Sequence, residues 1–262
     1  MMKGIFLLAC FLCSLFVTGC GDTASLKLKI AVVQDSQSGL IDMVKKTAAE
    51  EGLMLDIVQC KDYAEPNVML ASGEVDAVTF QTEKYLQEQI AERGFDFVVL
   101  TRTVLFPIGI YSARGRMLAE PLNASVAIPD DAAGGSRALR LLEQAGLLKL
   151  QRGTEKMVSL QDIAENFYGL QIFAVDALSL PQLLPNVDFV VMGTSLADEA
   201  GLVPRRDALC LESADSVYAN ALVVRREDIE SPAIQKLKQV YSMPEIREFI
   251  ETGMDGRALP AQ

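Results

Sequence analysis

The chain has 262 residues, half of them hydrophobic, with a formal net charge of −11 and neither histidine nor tryptophan. That length accommodates one large α/β domain or two lobes of about 100–130 residues each. The acidic balance, without a basic cluster, excludes a protein that holds a nucleic-acid backbone by bulk electrostatics. Without imidazole, no Ser-His-Asp or Cys-His nucleophile and no His-ligated metal site can be assembled, which removes most hydrolases and leaves only carboxylate or lysine chemistry formally open.

At the start, Lys3 precedes an apolar run over residues 5–17 that ends in Val17-Thr18-Gly19-Cys20. The run is shorter than the roughly 20 residues a spanning helix needs, and no second segment of that length follows, so residues 1–19 read as a signal peptide. The tetrapeptide resembles the bacterial lipoprotein box. That resemblance implies cleavage before Cys20, lipid (palmitate among it) on the Cys20 sulfur, and an anchor on the outer side of a bacterial membrane, facing the periplasm or the exterior. The alternative is a plain signal cut near the same place, with Cys20 an ordinary residue. Residues 20–27 then form a polar tether, whose stretch up to the first strand reaches roughly 25 Å at most.

Residues 28–33 alternate like a strand, helical spacing follows at Leu40, Val44 and Ala48, and residues 53–58 read as a second strand. A helix over 66–72, a strand over 75–80, a helix ending near Gly94, and strands over 97–100 and 106–111 complete a βα set. The pattern then restarts with a strand over 125–129, a helix over 136–146, a strand over 171–175, a short helix over 178–184 and a strand over 187–192. Near residues 208–212 the chain is expected to cross back, into a strong strand over 218–225. Two final helices each begin with Ser and Pro, at Ser231-Pro232 and at Ser242 before Pro244, where proline's missing N–H costs nothing. Strands alternating with helices predict mainly parallel sheets covered on both faces. The domain reading is lobe 1 over 28–112 plus 213–262 and lobe 2 over 113–212. Cys60 and Cys210 read as two small hydrophobes, with a bridge between them the less favoured alternative.

The segments Asp62-Tyr63-Ala64-Glu65-Pro66-Asn67, Gly73-Glu74-Val75-Asp76-Ala77, Phe80-Gln81 with Tyr85-Leu86, Pro107-Ile108-Gly109-Ile110-Tyr111-Ser112, Val126-Ala127-Ile128-Pro129, Arg137-Ala138-Leu139, Ala145-Gly146-Leu147 and Tyr218-Ala219-Asn220 occur in one order. As an ordered set running from about residue 29 to 250, they resemble the NlpA family of lipoproteins, the methionine-binding components of ABC importers. The resemblance implies a type II periplasmic-binding-protein fold, two α/β lobes with a ligand cleft between them. It also implies L-methionine as ligand, ABC permease and ATPase subunits as partners, and neither cofactor, metal nor catalytic residue.

An amino-acid ligand needs a cation or helix N-terminus for its carboxylate, acceptors for its ammonium and a shaped pocket for its side chain. Arg137, after the loop 130–136, suits the carboxylate, and the family's binding arginine falls there. On its own the residue reads equally as a surface arginine. As the proposed countercharge, its removal is expected to weaken binding by far more than about 1 kcal/mol and to leave the fold intact. Asn220 suits the ammonium by the same resemblance, or is a turn asparagine bonding its own backbone. Tyr63, Phe80 and Tyr85 follow strands, where cleft residues of an open α/β sheet gather, and are otherwise core aromatics. A thioether on an aromatic edge gains about 0.3–1.5 kcal/mol per contact. The chain departs from the family in three places: Thr82 stands where relatives usually carry histidine, Ala132-Ala133-Gly134-Gly135 replaces a proline- and asparagine-containing loop, and Met192-Gly193-Thr194 replaces Asn-Gly-Asn. Thr82 and Thr194 are the expected substitutes, directly or through water. Each lost hydrogen bond to a buried charged ligand costs about 1.5–3 kcal/mol, enough to change ligand choice. A different amino acid, a methionine-containing dipeptide, a surface adhesin with a vestigial cleft, and an enzyme on the same fold remain the rival readings.

Overall fold

The computed structural model describes residues 26–33, 38–115, 117–119, 121–153 and 157–261. The leader and Cys20 lie outside the described residues. In chain order the elements are β1 (Leu26–Val33), α1 (Ser38–Glu50), β2 (Leu53–Cys60), α2 (Glu65–Ser72), β3 (Ala77–Thr82), α3 (Glu83–Arg93), β4 (Phe97–Arg102), β5 (Val104–Leu105) and β6 (Ile108–Tyr111). They continue with β7 (Ser125–Pro129), α4 (Ala132–Gln144), β8 (Leu148–Leu150), β9 (Ile163–Asn166), β10 (Gln171–Val175), α5 (Leu180–Leu183), β11 (Phe189–Gly193), α6 (Thr194–Glu199), α7 (Pro204–Asp207) and β12 (Cys210–Leu211). The last are β13 (Asn220–Arg225), α8 (Pro232–Tyr241), α9 (Pro244–Glu248) and β14 (Leu259–Pro260).

Two five-stranded sheets organise the molecule, in the orders β2-β1-β3-β13-β4 and β10-β7-β11-β6-β12. Each has a parallel trio at one side: β2, β1 and β3 in the first, and β10, β7 and β11 in the second. Each trio is extended by an antiparallel strand that arrives from the other half of the chain. β13 runs against β3 and β4, and β6 runs against β11 and β12. The sheets are therefore mixed rather than mainly parallel on their crossing sides.

Both faces of each sheet are covered, and strand alternation assigns the side chains. On β1, Leu28, Ile30 and Val32 enter the core under α1, α8 and α9, while Ala31 and Val33 enter the opposite core, under α2 and α3. On β11, Phe189 and Val191 meet α4 and Val190 and Met192 meet α5 and α6. Fully buried aliphatic side chains such as Ile30 and Leu139 contribute about 1.5–3 kcal/mol each by leaving water.

Three sequence expectations need correction. The strand expected over 106–111 begins only after Pro107, which has no N–H for a ladder, and a separate short strand, β5, precedes it. β5 pairs with the C-terminal β14, whereas β6 belongs to the second sheet. The first crossing between lobes is therefore at residues 103–107, and 108–112 belong to lobe 2 rather than lobe 1. The expected return near 208–212 is instead the edge strand β12, and the second crossing follows it, over 212–219. Finally, the stretch 132–135, expected as a loop before a helix over 136–146, is the first turn of α4. Asp131 caps it by accepting the Gly134 N–H at 2.7 Å. Gly135 lets this turn press onto β7, since a Cβ there would stand 2.9 Å from the Pro129 carbonyl oxygen.

The C-terminal segment spans both lobes. Just before β14, Arg257 pairs with Asp198 of α6 at 2.8 Å, and Arg205 of α7 donates its N–H to the Gly256 carbonyl at 3.2 Å. Cys60 and Cys210 are free thiols on different sheets. Among the described residues no helix is long and apolar enough to cross a membrane.

Candidate functional site: a cleft between the lobes

The first-lobe wall is built at the ends of β2 and β3. Asp62 Oδ1 accepts the N–H groups of Ala64 and Glu65, each at 2.9 Å, and this turn starts α2. The turn leaves Tyr63 half exposed over Phe80, with ring centroids 5.7 Å apart. Tyr85, in the first turn of α3, meets both rings edge-on at 6.4 and 6.2 Å and donates its hydroxyl to the Tyr63 carbonyl at 3.2 Å. Burial raises the Tyr85 hydroxyl's pKa. The three aromatics thus form one cluster, in which Phe80 is 3% exposed, with its ring in the core, while Tyr63 keeps a free face. Buried beneath it, Asn67 and Gln81 exchange side-chain amide hydrogen bonds at 2.9 and 2.7 Å. That reciprocal pair locks α2 to β3 and fixes which way the residues on either side of Gln81, Phe80 and Thr82, are turned.

Thr82 caps α3, its hydroxyl oxygen accepting the Tyr85 N–H at 3.2 Å. Its hydrogen stays available for donation, a role different from that of a ring nitrogen. Asn220 opens β13 directly opposite Thr82, and its carbonyl accepts both the N–H and the hydroxyl of Thr103 on the first crossing, at 2.8 and 3.1 Å. Thr82, Tyr85 and Asn220 therefore stand together where the first lobe meets the hinge.

Arg137 projects from the second turn of α4 in lobe 2. Its Nε donates to Glu212 Oε1 at 2.9 Å, and its Nη2 donates to Glu212 Oε2 and to the Phe106 carbonyl, the latter at 2.9 Å. Tyr218 covers the guanidinium, its ring centroid 4.8 Å from Cζ, a cation–π contact. Nη1 makes no hydrogen bond among the described residues. Glu212 is itself held from two more sides, by the Ile108 N–H at 3.2 Å and the Ser216 hydroxyl at 2.7 Å. One arginine thus ties α4 to both crossings.

Two adjoining cavities share Arg137 and Tyr218. One of about 180 Å³ reaches Pro129, Gly134, Met192 and Gly193 and is mainly apolar. The other, about 460 Å³, is lined from lobe 1 by Lys84, from lobe 2 by Arg140 and from the second crossing by Glu212 and Asp215. Thr194, in contrast, lies apart from this set. Its hydroxyl is 2.9 Å from the Pro107 carbonyl and 3.1 Å from the Arg257 carbonyl, so its single hydrogen is used within the hinge.

Tyr63, Phe80, Thr82, Tyr85 and Asn220 stand in the first lobe and Arg137 in the second; Arg137 lines both cavities and none of the other five lines either. Glu212, Tyr218 and the Asn67–Gln81 pair were missed as contributors. Tyr218 and the amide pair lie within the segments that carry the family resemblance, but nothing local distinguishes Glu212 from other surface acids.

A family model described as NlpA lipoprotein matches residues 28–262. A protein of Vibrio cholerae named probable D-methionine-binding lipoprotein MetQ is 32% identical, over 98% of this chain and 97% of its own length. Outer membrane lipoprotein 3 of Mannheimia haemolytica is 35% identical over 89% of each chain. Among solved structures, a nutrient binding protein from Burkholderia cenocepacia bound to methionine is 38% identical with a TM-score of 0.68, covering 90% of this chain and 100% of that one. The two-lobed architecture is that of these periplasmic substrate-binding proteins. With that agreement running along the whole described body, the chain belongs to the NlpA lipoprotein family.

Proposed function

We propose that the protein is an extracytoplasmic binding lipoprotein that captures methionine between its lobes and delivers it to the permease and ATPase of an ABC importer. The observation that carries the reading is the cavity shared by the two lobes: Arg137, with one uncommitted amino group, lines it from lobe 2, and Lys84, between Thr82 and Tyr85 in the chain, lines it from lobe 1. Names and ligands of relatives support methionine. Arg137 takes the carboxylate, Asn220 the ammonium, and Tyr63, Tyr85 and the apolar cavity beside Met192 the thioether side chain. Thr82 donates where relatives use a ring nitrogen, and Thr194 acts through the hinge rather than on the ligand. Lipid on Cys20 holds the body at the membrane surface, and the protein binds without turning its ligand over.

The 460 Å³ cavity, with Lys84 and Arg140 on its walls, favours a second reading in which the ligand is longer than one amino acid, such as a methionine-containing dipeptide. The test is native followed by denaturing mass spectrometry of the full chain purified in detergent without added ligand, then calorimetric titration with L-methionine, D-methionine and a panel of amino acids. Release of a species with the mass of methionine supports the first reading, and a heavier zwitterion supports the second. A protein that emerges empty and ignores the whole panel refutes both and leaves the adhesin.

A further inference from the structure

We propose that Glu212 is the residue that makes this cleft select ligands carrying an ammonium group beside their carboxylate. The inference deepens the amino-acid reading above and rests on it. A lone arginine in a cleft attracts any carboxylate. Here the guanidinium comes with its own counter-ion: Glu212 occupies the Nε–Nη2 edge, and its side chain is only 8% exposed. The Ile108 N–H and the Ser216 hydroxyl hold that carboxylate in place. Neither is charged, so the Arg137–Glu212 pair is itself neutral before any ligand arrives.

A second carboxylate entering at Nη1 shares one positive charge with Glu212. In a partly buried site, where solvent screens less than in bulk water, like charges repel, and one of them is best compensated or expelled. An amino-acid zwitterion brings the compensation with it. An α-hydroxy acid of the same shape brings a hydroxyl that still donates a hydrogen bond but adds a net negative charge. Glu212 thus acts by rejection, the second of the two routes to specificity, and leaves the attractive contacts to Arg137 and Asn220. Lys84, Arg140 and Asp215 line the larger cavity together with Glu212, but among the described residues Glu212 has Arg137 as its only ion-pair partner.

The experiment compares L-methionine with its α-hydroxy analogue, 2-hydroxy-4-(methylthio)butanoate, by calorimetric titration of the wild type and of Glu212→Gln. Glutamine retains the size and an acceptor oxygen for Arg137 but carries no charge. The wild type is expected to prefer methionine at least tenfold, and the variant to narrow that ratio at least fivefold, mainly because the hydroxy acid gains. A residue that merely supports the fold moves both affinities together and leaves the ratio alone, and that outcome overturns the proposal. Equal binding of the two ligands by the wild type also overturns it, and this arm requires no variant to fold. Failure of the wild type to bind methionine or any other amino acid is a separate result that overturns the functional reading itself and the role of Glu212 with it.

Discussion

Replacing Arg137 by alanine is the perturbation with the most to say, because two predictions about it diverge. Read as a ligand contact, the arginine is expendable to the fold. In the structure it is the ion-pair partner of a glutamate whose side chain is 8% exposed, against 21% for the arginine itself. Alanine leaves the Glu212 carboxylate with one backbone N–H and one hydroxyl and no charge to balance it. Breaking a buried pair from one side costs about 3–5 kcal/mol. Water in the adjoining cavity reaches part of the pair, so the lower end, about 3 kcal/mol, is the expected loss, or about 6–12 °C in Tm for a chain of this size. The double variant R137A/E212Q removes the stranded charge and is expected to recover a third or more of that loss. The assay is urea denaturation followed by circular dichroism on the wild type, both single variants and the double variant. A coupling of about 1.5–3 kcal/mol is expected from the cycle. An R137A protein that unfolds within about 0.5 kcal/mol of the wild type, or costs that add to within about 0.5 kcal/mol, shows that the pair is not a structural tie and refutes the reasoning.

Alkaline pH tests buried acids. Burial first, then the negative charges of Glu65 and Asp62, pushes the Cys60 thiol from 9.0 up to about 11, and burial also raises Tyr111 and Tyr241. A raised acid contributes nothing below its unfolded value and loses stability above it, so stability is expected to hold up to about pH 8.5 and to decline from there through pH 11. Urea midpoints measured at one-unit steps check this, and a flat profile contradicts it. Native Cys60 is also expected to resist iodoacetamide at pH 8 while denatured protein reacts. At Gly109 a methyl group would stand 2.8 Å from the fully buried Tyr111 ring on the same face of β6, so Gly109→Ala is expected to cost about 1–3 kcal/mol by overpacking. A melt indistinguishable from wild type would show that the ring gives way freely.

Most elements were legible because period and punctuation agreed. β1 alternates, α1 repeats Leu40, Val44 and Ala48, and Gly94 ends α3 in the left-handed conformation that glycine adopts at no cost. The start of α4 was not, since two adjacent glycines argue against a helix from propensity alone. There, Asp131 and the close approach to Pro129 outweigh a deficit of about 1 kcal/mol per glycine. β6 was placed in the wrong lobe because an apolar run carries no mark of which sheet it joins, although Pro107 within it signals the break. At the site, the aromatics and Arg137 could be read from type and position. Glu212 could not, being separated by 75 residues from the arginine it neutralises. The Thr194 hydroxyl likewise reads as a ligand donor until the Pro107 and Arg257 carbonyls are found beside it.

The C-terminal segment also bears on how the protein should be handled. Residues 256–261 touch α6, α7 and the first crossing at once, so this end of the described chain packs at the junction of the lobes rather than at a lobe's periphery. A small fluorophore attached there is expected to report on the packing of that junction. A bulky affinity tag fused there is expected to press on that junction, so titrations are best made with the tag removed.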